Sequence, residues 1–373
     1  MNTLYDFLVV GAGISGCTFA SSINKKFPKA SILLVEHGRR LGGRSTTRKS
    51  RKNLNLEYDH GLPSFNLSDN ISDDLFSLIS PLIKSKRLID ISEEILIINE
   101  YGSLNKQIID KKTFRCFPFM VNFAKEIINQ SINPKKINFL FETLIKSIIR
   151  NNDLWEVKIN HEEYVRAKNL ILSSSLLAHP RCLNILNLNS IPLRDAFKVG
   201  TDNIVDSVIE RIVKQEYIKR TNYILYVPYY KLLQEFNFKN LQVRFSNVIT
   251  NQLSYERIIF QRQLDGSIII VLHCCYYDKL FDRDLESIIQ SLRVIFCKHN
   301  LFLDLFVNAQ MIEKMDWRAS QPLNNLLPNE LQWSSTSKIG FCGDWFEFGD
   351  CGRVEAAMNS SISLSKIFTE NDF

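Results

Sequence analysis

Gly11, Gly13 and Gly16 stand at Gly-x-Gly-x-x-Gly spacing directly after the apolar run Phe7-Leu8-Val9-Val10. The first glycine permits a tight turn. The second lets a pyrophosphate approach the backbone, and the third lets a helix pack closely on its strand. Ile14 and Ser15 open that helix, whose first N–H groups and positive dipole end favour an anion. Glu36 closes a second apolar run, Ile32-Leu33-Leu34-Val35, twenty residues after Gly16. A carboxylate there is placed to accept hydrogen bonds from ribose hydroxyls. The glycine spacing alone is a weak signal. Strand, helix and acid in this order make it a dinucleotide site.

Such a fingerprint serves nicotinamide and flavin dinucleotides alike. The discriminating segment is Arg40-Leu41-Gly42-Gly43-Arg44-Ser45-Thr46-Thr47-Arg48. Gly42 and Gly43 let a loop fold back over the pyrophosphate, and Arg44 offers it a fork of N–H donors, with Ser45 beside it. Lys49, Arg51 and Lys52 read as a solvated basic run. An independent signal lies far downstream, where Gly343-Asp344 follows the strand-like Ile339-Gly340-Phe341-Cys342. Asp344 is placed for ribityl or phosphate-side hydroxyls. Gly352-Arg353-Val354-Glu355-Ala356-Ala357 then starts a helix running to Phe368. Its N-terminus, with Arg353, Val354 and the small Ala356, is expected to face a flavin pyrimidine ring and stabilise the charge that develops on reduction. Leu144, after the strand-like Phe139-Leu140-Phe141, completes the expected binding set. The cofactor expected is FAD. No cysteine motif marks a covalent link, so it is expected to be non-covalent.

These motifs, with Asp59-His60-Gly61 and Trp317-Arg318-Ala319-Ser320-Gln321-Pro322, resemble the renalase-like branch of the FAD-dependent amine-oxidase superfamily. The resemblance covers both ends of the chain; the middle matches in element order alone. It implies a p-hydroxybenzoate-hydroxylase-type architecture, with substrate held between the flavin and a separate sheet domain. The family usually has Ala-Gln-Tyr-Phe after Asp-His-Gly, where this chain has Leu62-Pro63-Ser64-Phe65. That change removes a polar Gln and Tyr from the expected substrate side.

The elements that must position these residues follow from periodicity. A βαβ unit comprises the first two apolar runs and a helix over Ile14 to Lys25. Residues 39–61 read as a polar loop. A helical pattern from Asp73 passes into a short apolar run near Asn99, and Val121 to Gln130 reads as a helix. Trp155 to Ile159 and Tyr164 to Ala167 read as a hairpin, with Asn169 to Leu172 a separate short strand and Ser173-Ser174-Ser175 a turn. Residues 190–310 alternate strand-like runs (Tyr223 to Val227, Arg257 to Phe260, Ile268 to His273) with polar turns, before a helix over Asp284 to Cys297. The fold class expected is α/β: a Rossmann-type FAD-binding domain interrupted by a largely antiparallel-sheet substrate domain. The first takes residues 1–80, 135–180 and 315–373; the second takes 81–134 and 181–314.

Composition narrows the function classes. With 373 residues, 45% apolar and 23% charged, the chain suits two globular domains. A net charge of +6 is too small an excess to imply nucleic acid. No apolar stretch reaches the eighteen or so residues of a membrane span. No signal peptide is legible, so the eight cysteines read as reduced thiols, and a cytoplasmic location is expected. Cys342 and Cys351 flank the downstream motif as buried or incidental thiols, and the six histidines lack metal-ligand spacing, so no metal is expected. Tyr223, Tyr226, Tyr229 and Tyr230 read as core and edge positions of a strand. The function expected is removal of a hydride from a small substrate, an amine or a dihydronicotinamide, with electrons passed to oxygen or another acceptor. Flavin itself does this chemistry, so no protein acid or base is obligatory. His60 and Trp317 are the catalytic candidates. The alternatives are an isoprenoid-type desaturase or reductase, and a non-catalytic flavin-binding protein.

Overall fold

The computed structural model describes residues 3–50, 55–106, 111–151, 153–159, 163–229, 238–276, 283–349 and 353–372. Apolar runs without alternation form its central strands. β1 (Leu4–Val10) lies between β2 (Ile32–Val35) and β13 (Tyr164–Leu172), parallel to both. β10 (Ile137–Leu140) adds outside β2, and β20 (Ile339–Phe341) pairs parallel with the end of β13. Strands covered on both faces need apolar residues throughout, and Phe7, Leu8 and Val9 are fully buried. The antiparallel β12 (Leu154–Lys158) and β11 (Ser147–Asn151) continue the sheet beyond the start of β13, and β19 (Trp333–Ser334) pairs with β20.

Residues 164–172 form one strand, where the sequence reads two. Lys168, which interrupts the apolar run, pairs with Asp6 at 2.9 Å. Asn169 donates to the carbonyls of Asp6 and Asp372, both at 3.0 Å. With both side-chain nitrogens partnered, the strand runs on.

α1 (Ile14–Lys26), α3 (Val121–Asn129) and α10 (Val354–Ile367) cover one face of the sheet. Phe7 meets Phe19 and Phe368 edge-on, with centroids 5.8 and 5.0 Å apart. α4 (Arg181–Leu186), α5 (Pro192–Ala196) and α6 (Asn203–Val213) cover the other face, around Trp155, Phe341 and Trp345.

The second sheet has the order β18 (Gln310–Pro322), β14 (Tyr217–Val227), β17 (Ile268–Tyr276), β16 (Tyr255–Arg262), β15 (Asn240–Phe245), β7 (Leu96–Ile98), β8 (Leu104–Lys106). Its pairs are antiparallel except β15 with β7. One face packs on α8 (Leu285–Ile295) and α9 (Asn300–Val307) through Phe260, Phe296, Phe302 and Phe306; α7 (Asn247–Leu253) also joins this core through Ile249. The other face meets a hairpin of β3 (Thr47–Lys49) and β4 (Glu57–Asp59), where Leu56 and Tyr58 cover Ile224, Ile269 and Val271. That hairpin lies in the segment that reads as a polar loop. Several of its polar residues are paired: Thr47 donates to Asp59 at 2.5 Å, and Gln261 both accepts from and donates to the Asp59 main chain at 2.8 Å, while Lys49 is exposed as expected. Beside α2 (Asp73–Lys84), a small sheet of β5 (Phe65–Asn66), β9 (Thr113–Cys116) and β6 (Leu88–Asp90) completes the described strands.

Packing redistributes the expected halves. α3 lies against α1, and α6 docks under the first sheet by Val205, Val208, Ile209 and Ile212. All of β18 joins the second sheet. Periodicity shows that a helix has an apolar face but not which sheet it covers.

Candidate functional site

A cavity of about 610 Å³ opens at the carboxyl ends of β1, β13 and β20, the position where open parallel sheets hold ligands. Its far wall is the second sheet.

At one end the glycine turn is tightly specified. Gly11 has φ +99°, and a Cβ on Gly16 would lie 2.1 Å from the Gly11 carbonyl oxygen. Gly13 instead faces the Gly42-Gly43 loop, with a Cβ on Gly43 falling 3.1 Å from Gly13 Cα. The two backbones thus form a cradle that side chains would fill. α1 starts at Gly13 with no side-chain cap and no acid in its first turn, so its dipole end is open to an anion. Glu36 lines the same end, and its carboxylate accepts from the amides of Ala12 (2.9 Å) and Gly38 (2.7 Å). Each oxygen still has acceptor capacity for a hydroxyl.

At the other end, Arg44 forks onto Asp344 with bonds of 2.6 and 2.8 Å and donates to the Ser320 carbonyl at 2.8 Å. The fork expected on a pyrophosphate is therefore on a carboxylate in this structure. Gly343 has φ +148°. α10 begins at Val354, capped by no side chain, and Arg353, Val354 and Ala357 line the cavity. Gly352 and Cys351 lie outside the described residues, as do Arg51, Lys52 and Tyr230.

Of the expected binding residues, Gly11, Gly13, Ile14, Ser15, Glu36, Gly43, Arg44, Gly343, Asp344, Arg353 and Val354 are brought together around the cavity. Four are not. Gly16 serves packing, and Ser45 is buried with its hydroxyl on the Gly42 carbonyl. Leu144 packs on the core beneath the sheet. Ala356 is buried to 1% exposure, because helical rotation turns its neighbour Ala357 to the cavity instead.

The far wall carries residues the sequence did not single out: Arg220 and Asn222 on β14, Glu256 and Arg257 on β16, and His273 on β17. A bulge between Tyr255 and Arg257 brings the consecutive Glu256 and Arg257 to the cavity. Glu256 accepts from Arg220 at 2.9 Å and from Arg257. Burial pushes its carboxyl up, but the two arginines outweigh this and hold it well below the usual carboxylate range. Trp317 lines the cavity with its ring 5.7 Å from that of buried His60. Burial, then the charge of Arg48, lowers His60 to about 4; burial, then Arg257, lowers His273 to about 3. Both imidazoles are neutral at neutral pH. His60 Nδ1, His273 Nε2, Asn222 Oδ1 and Trp317 Nε1 are buried without a hydrogen-bond partner among the described residues.

Leu62 and Pro63 line the cavity, whereas Ser64 donates to Gln242 at 3.0 Å. Tyr223 is a core residue, Tyr226 packs beside Ile224, and Tyr229 is half exposed. Cys342 lies under the turn with Ser15 donating to it at 3.3 Å, and burial raises its thiol to about 11.

Comparisons agree with this geometry. Residues 9–80 match the NAD(P)-binding Rossmann-like domain family. The search of curated proteins returns no match. Among solved structures, cyclohexylamine oxidase from Brevibacterium oxydans IH-35A aligns at TM-score 0.63 and 12% identity, over 97% of this chain and 99% of that one. A protein described as a protoporphyrinogen oxidase, from Exiguobacterium sp. 255-15, aligns at 0.62 and 10% over 98% of both chains. A putrescine oxidase triple mutant with redesigned cofactor binding aligns at 0.60 and 11%, over 97% of this chain and 98% of that one. The chain thus has a Rossmann-type dinucleotide domain joined to a separate antiparallel-sheet domain, the fold shared by these oxidases.

Proposed function

We propose that this chain is a flavoprotein oxidoreductase of renalase-like type that binds FAD non-covalently and takes a hydride from a small substrate. One observation carries the reading: the glycine turn, the Gly42-Gly43 loop, Asp344 and the start of α10 converge on a single cavity whose opposite wall is a polar sheet. FAD, when bound, supplies the two-electron acceptor. Ile14 and Ser15 at the start of α1 hold the pyrophosphate, Glu36 the adenosine ribose, and Asp344 with Arg44 the ribityl side. Arg353 and Val354 give the pyrimidine ring a positive helix end. Neutral His60 and His273 orient groups without acting as cationic acids. Amines and dihydronicotinamides are the substrate types proposed, with oxygen or another acceptor completing turnover. The seven described cysteines are all free thiols, which suits the cytoplasmic location we propose. No described helix is long and apolar enough to cross a membrane.

The purified protein is expected to be yellow and to release its flavin into the supernatant on acid precipitation. Colour retained in the pellet contradicts non-covalent binding. A colourless protein that FAD does not reconstitute contradicts the whole reading. Anaerobic bleaching by a panel of amines and reduced nicotinamides separates an enzyme from a flavin-binding protein without turnover.

Glu36→Ala is expected to weaken FAD binding by about 2 kcal/mol, the scale of hydrogen bonds to a charged acceptor. Titration of the apoprotein with FAD measures it. An unchanged Kd in a folded variant rejects the ribose role.

A further inference from the structure

We propose that the second-sheet wall of this cavity is an oxyanion site, so that the substrate presents a carboxylate or phosphate group to Arg257 rather than an ammonium group. The proposal rests on reading the cavity as the active site. It begins with a row of residues across four strands. Arg244 on β15 is opposite Arg257 on β16, Arg257 is opposite His273 on β17, and His273 is opposite Asn222 on β14. Arg220 lies two residues before Asn222 on the same face.

Cations crowd this wall. Arg220 and Arg257 both donate to Glu256, and Arg244 lies opposite Arg257 on the next strand. Burial, then repulsion from Arg257, lowers Arg244 to about 10. Neighbouring guanidinium groups in a part-buried wall repel one another, and an arriving anion relieves that repulsion.

Among the described residues, three acids line the cavity, and each is already engaged. Glu36 holds turn amides at the nucleotide end, Asp344 is forked by Arg44, and Glu256 lies between two arginines. An oxyanion, in contrast, meets donors. Arg257 donates from one Nη to Glu256 and lines the cavity. The buried Trp317 Nε1–H has no acceptor, and neither does His273 Nε2 a partner. Charge-assisted N–H bonds to carboxylate or phosphate are the strongest such donors make.

The test is calorimetric titration of the protein as purified with four similar probes: benzoate, phenyl phosphate, benzamide and benzylamine. Benzoate or phenyl phosphate is expected to saturate one site, and whichever binds more tightly identifies the oxyanion. Benzylamine and benzamide are expected to bind at least tenfold more weakly. Arg257→Gln is expected to raise the Kd of the oxyanion tenfold or more while flavin content is unchanged. Arg257→Lys, which keeps the charge and loses the fork, is expected to fall between. Should Arg257→Gln not fold, an unchanged Kd in Arg257→Lys overturns the proposal. It is also overturned if neither oxyanion binds, if benzylamine binds as tightly as benzoate, or if Arg257→Gln loses flavin, which places the arginine on the cofactor. A colourless protein that still binds benzoate through Arg257 upholds the oxyanion site and rejects the flavin reading alone.

Discussion

Gly16→Ala is expected to strip the protein of flavin and to destabilise it by roughly 3 kcal/mol, the upper end of ordinary overpacking. The added Cβ would lie 2.1 Å from the Gly11 carbonyl oxygen and 3.0 Å from Ser173 Oγ. The closer atom is backbone, so no side chain can swing aside. α1 cannot retreat either, because α3 and α10 pack against it and Phe19 meets Phe368 with centroids 5.9 Å apart. Relief comes only by sliding α1 along the sheet, which moves its N-terminus away from the cavity. Gly13→Ala is the control. Its Cβ meets nothing nearer than Gly43 Cα at 3.8 Å, so the fold should survive while the methyl group occupies ligand space. Thermal unfolding and the visible flavin band, read together, distinguish the two. Equal unfolding temperatures for Gly16→Ala and wild type would show that the turn is looser than described.

Arg115→Leu is expected to cost about 3–5 kcal/mol, the scale of a buried ion pair broken on one side. Its partner Asp59 is only 1% exposed. Arg115 Nη2 donates to that carboxylate at 2.8 Å, as do Thr47 Oγ1 at 2.5 Å and the Met120 amide at 3.0 Å. Asp59 therefore ties the β3–β4 hairpin to the start of α3, and its main chain ties both to Gln261 in the second sheet. The double variant Asp59→Asn, Arg115→Leu should recover part of the loss, since no unpaired charge remains. Denaturant midpoints of the four proteins measure the coupling. A loss below about 1 kcal/mol in the single variant would place Asp59 in a far wetter setting. Because His60 and Gly61 follow Asp59 directly, the flavin band should weaken in parallel.

Local signals were legible where one element supplies its own context. The turn after β1, the helix from Ile14, Glu36 after Val35 and the helix from Val354 could be read because each motif adjoins an apolar run that sets its place. The sheet wall could not, because a strand residue acquires a role only from its register. Arg257 becomes part of a site by lying opposite His273, and by a bulge that no propensity announces. β18 hid for another reason: most of its residues are only partly buried, so it has no apolar run, and it is held by nine residue pairs along β14. α6, by contrast, carries its own local signals. Asp202 caps it, and Val205, Val208, Ile209 and Ile212 repeat at helical spacing. Arg44 and Asp344, 300 residues apart, could each be read as ligand-binding, but nothing local says that they bind each other.

That separation has a consequence for synthesis. The nucleotide half of the cavity is translated early, but β20, Asp344 and α10 complete it only after some 300 further residues have been added. At 5–20 residues per second, a ribosome takes roughly 15 to 60 s over that interval. Throughout it, Phe7 and Phe19 lack the cover of Phe368, and the end of β13 lacks β20 as a neighbour. The nascent chain therefore carries an open apolar face and an open strand edge for most of its translation, the two features that recruit chaperones or seed aggregation. No fragment stopping short of α10 has a cavity with both of its ends.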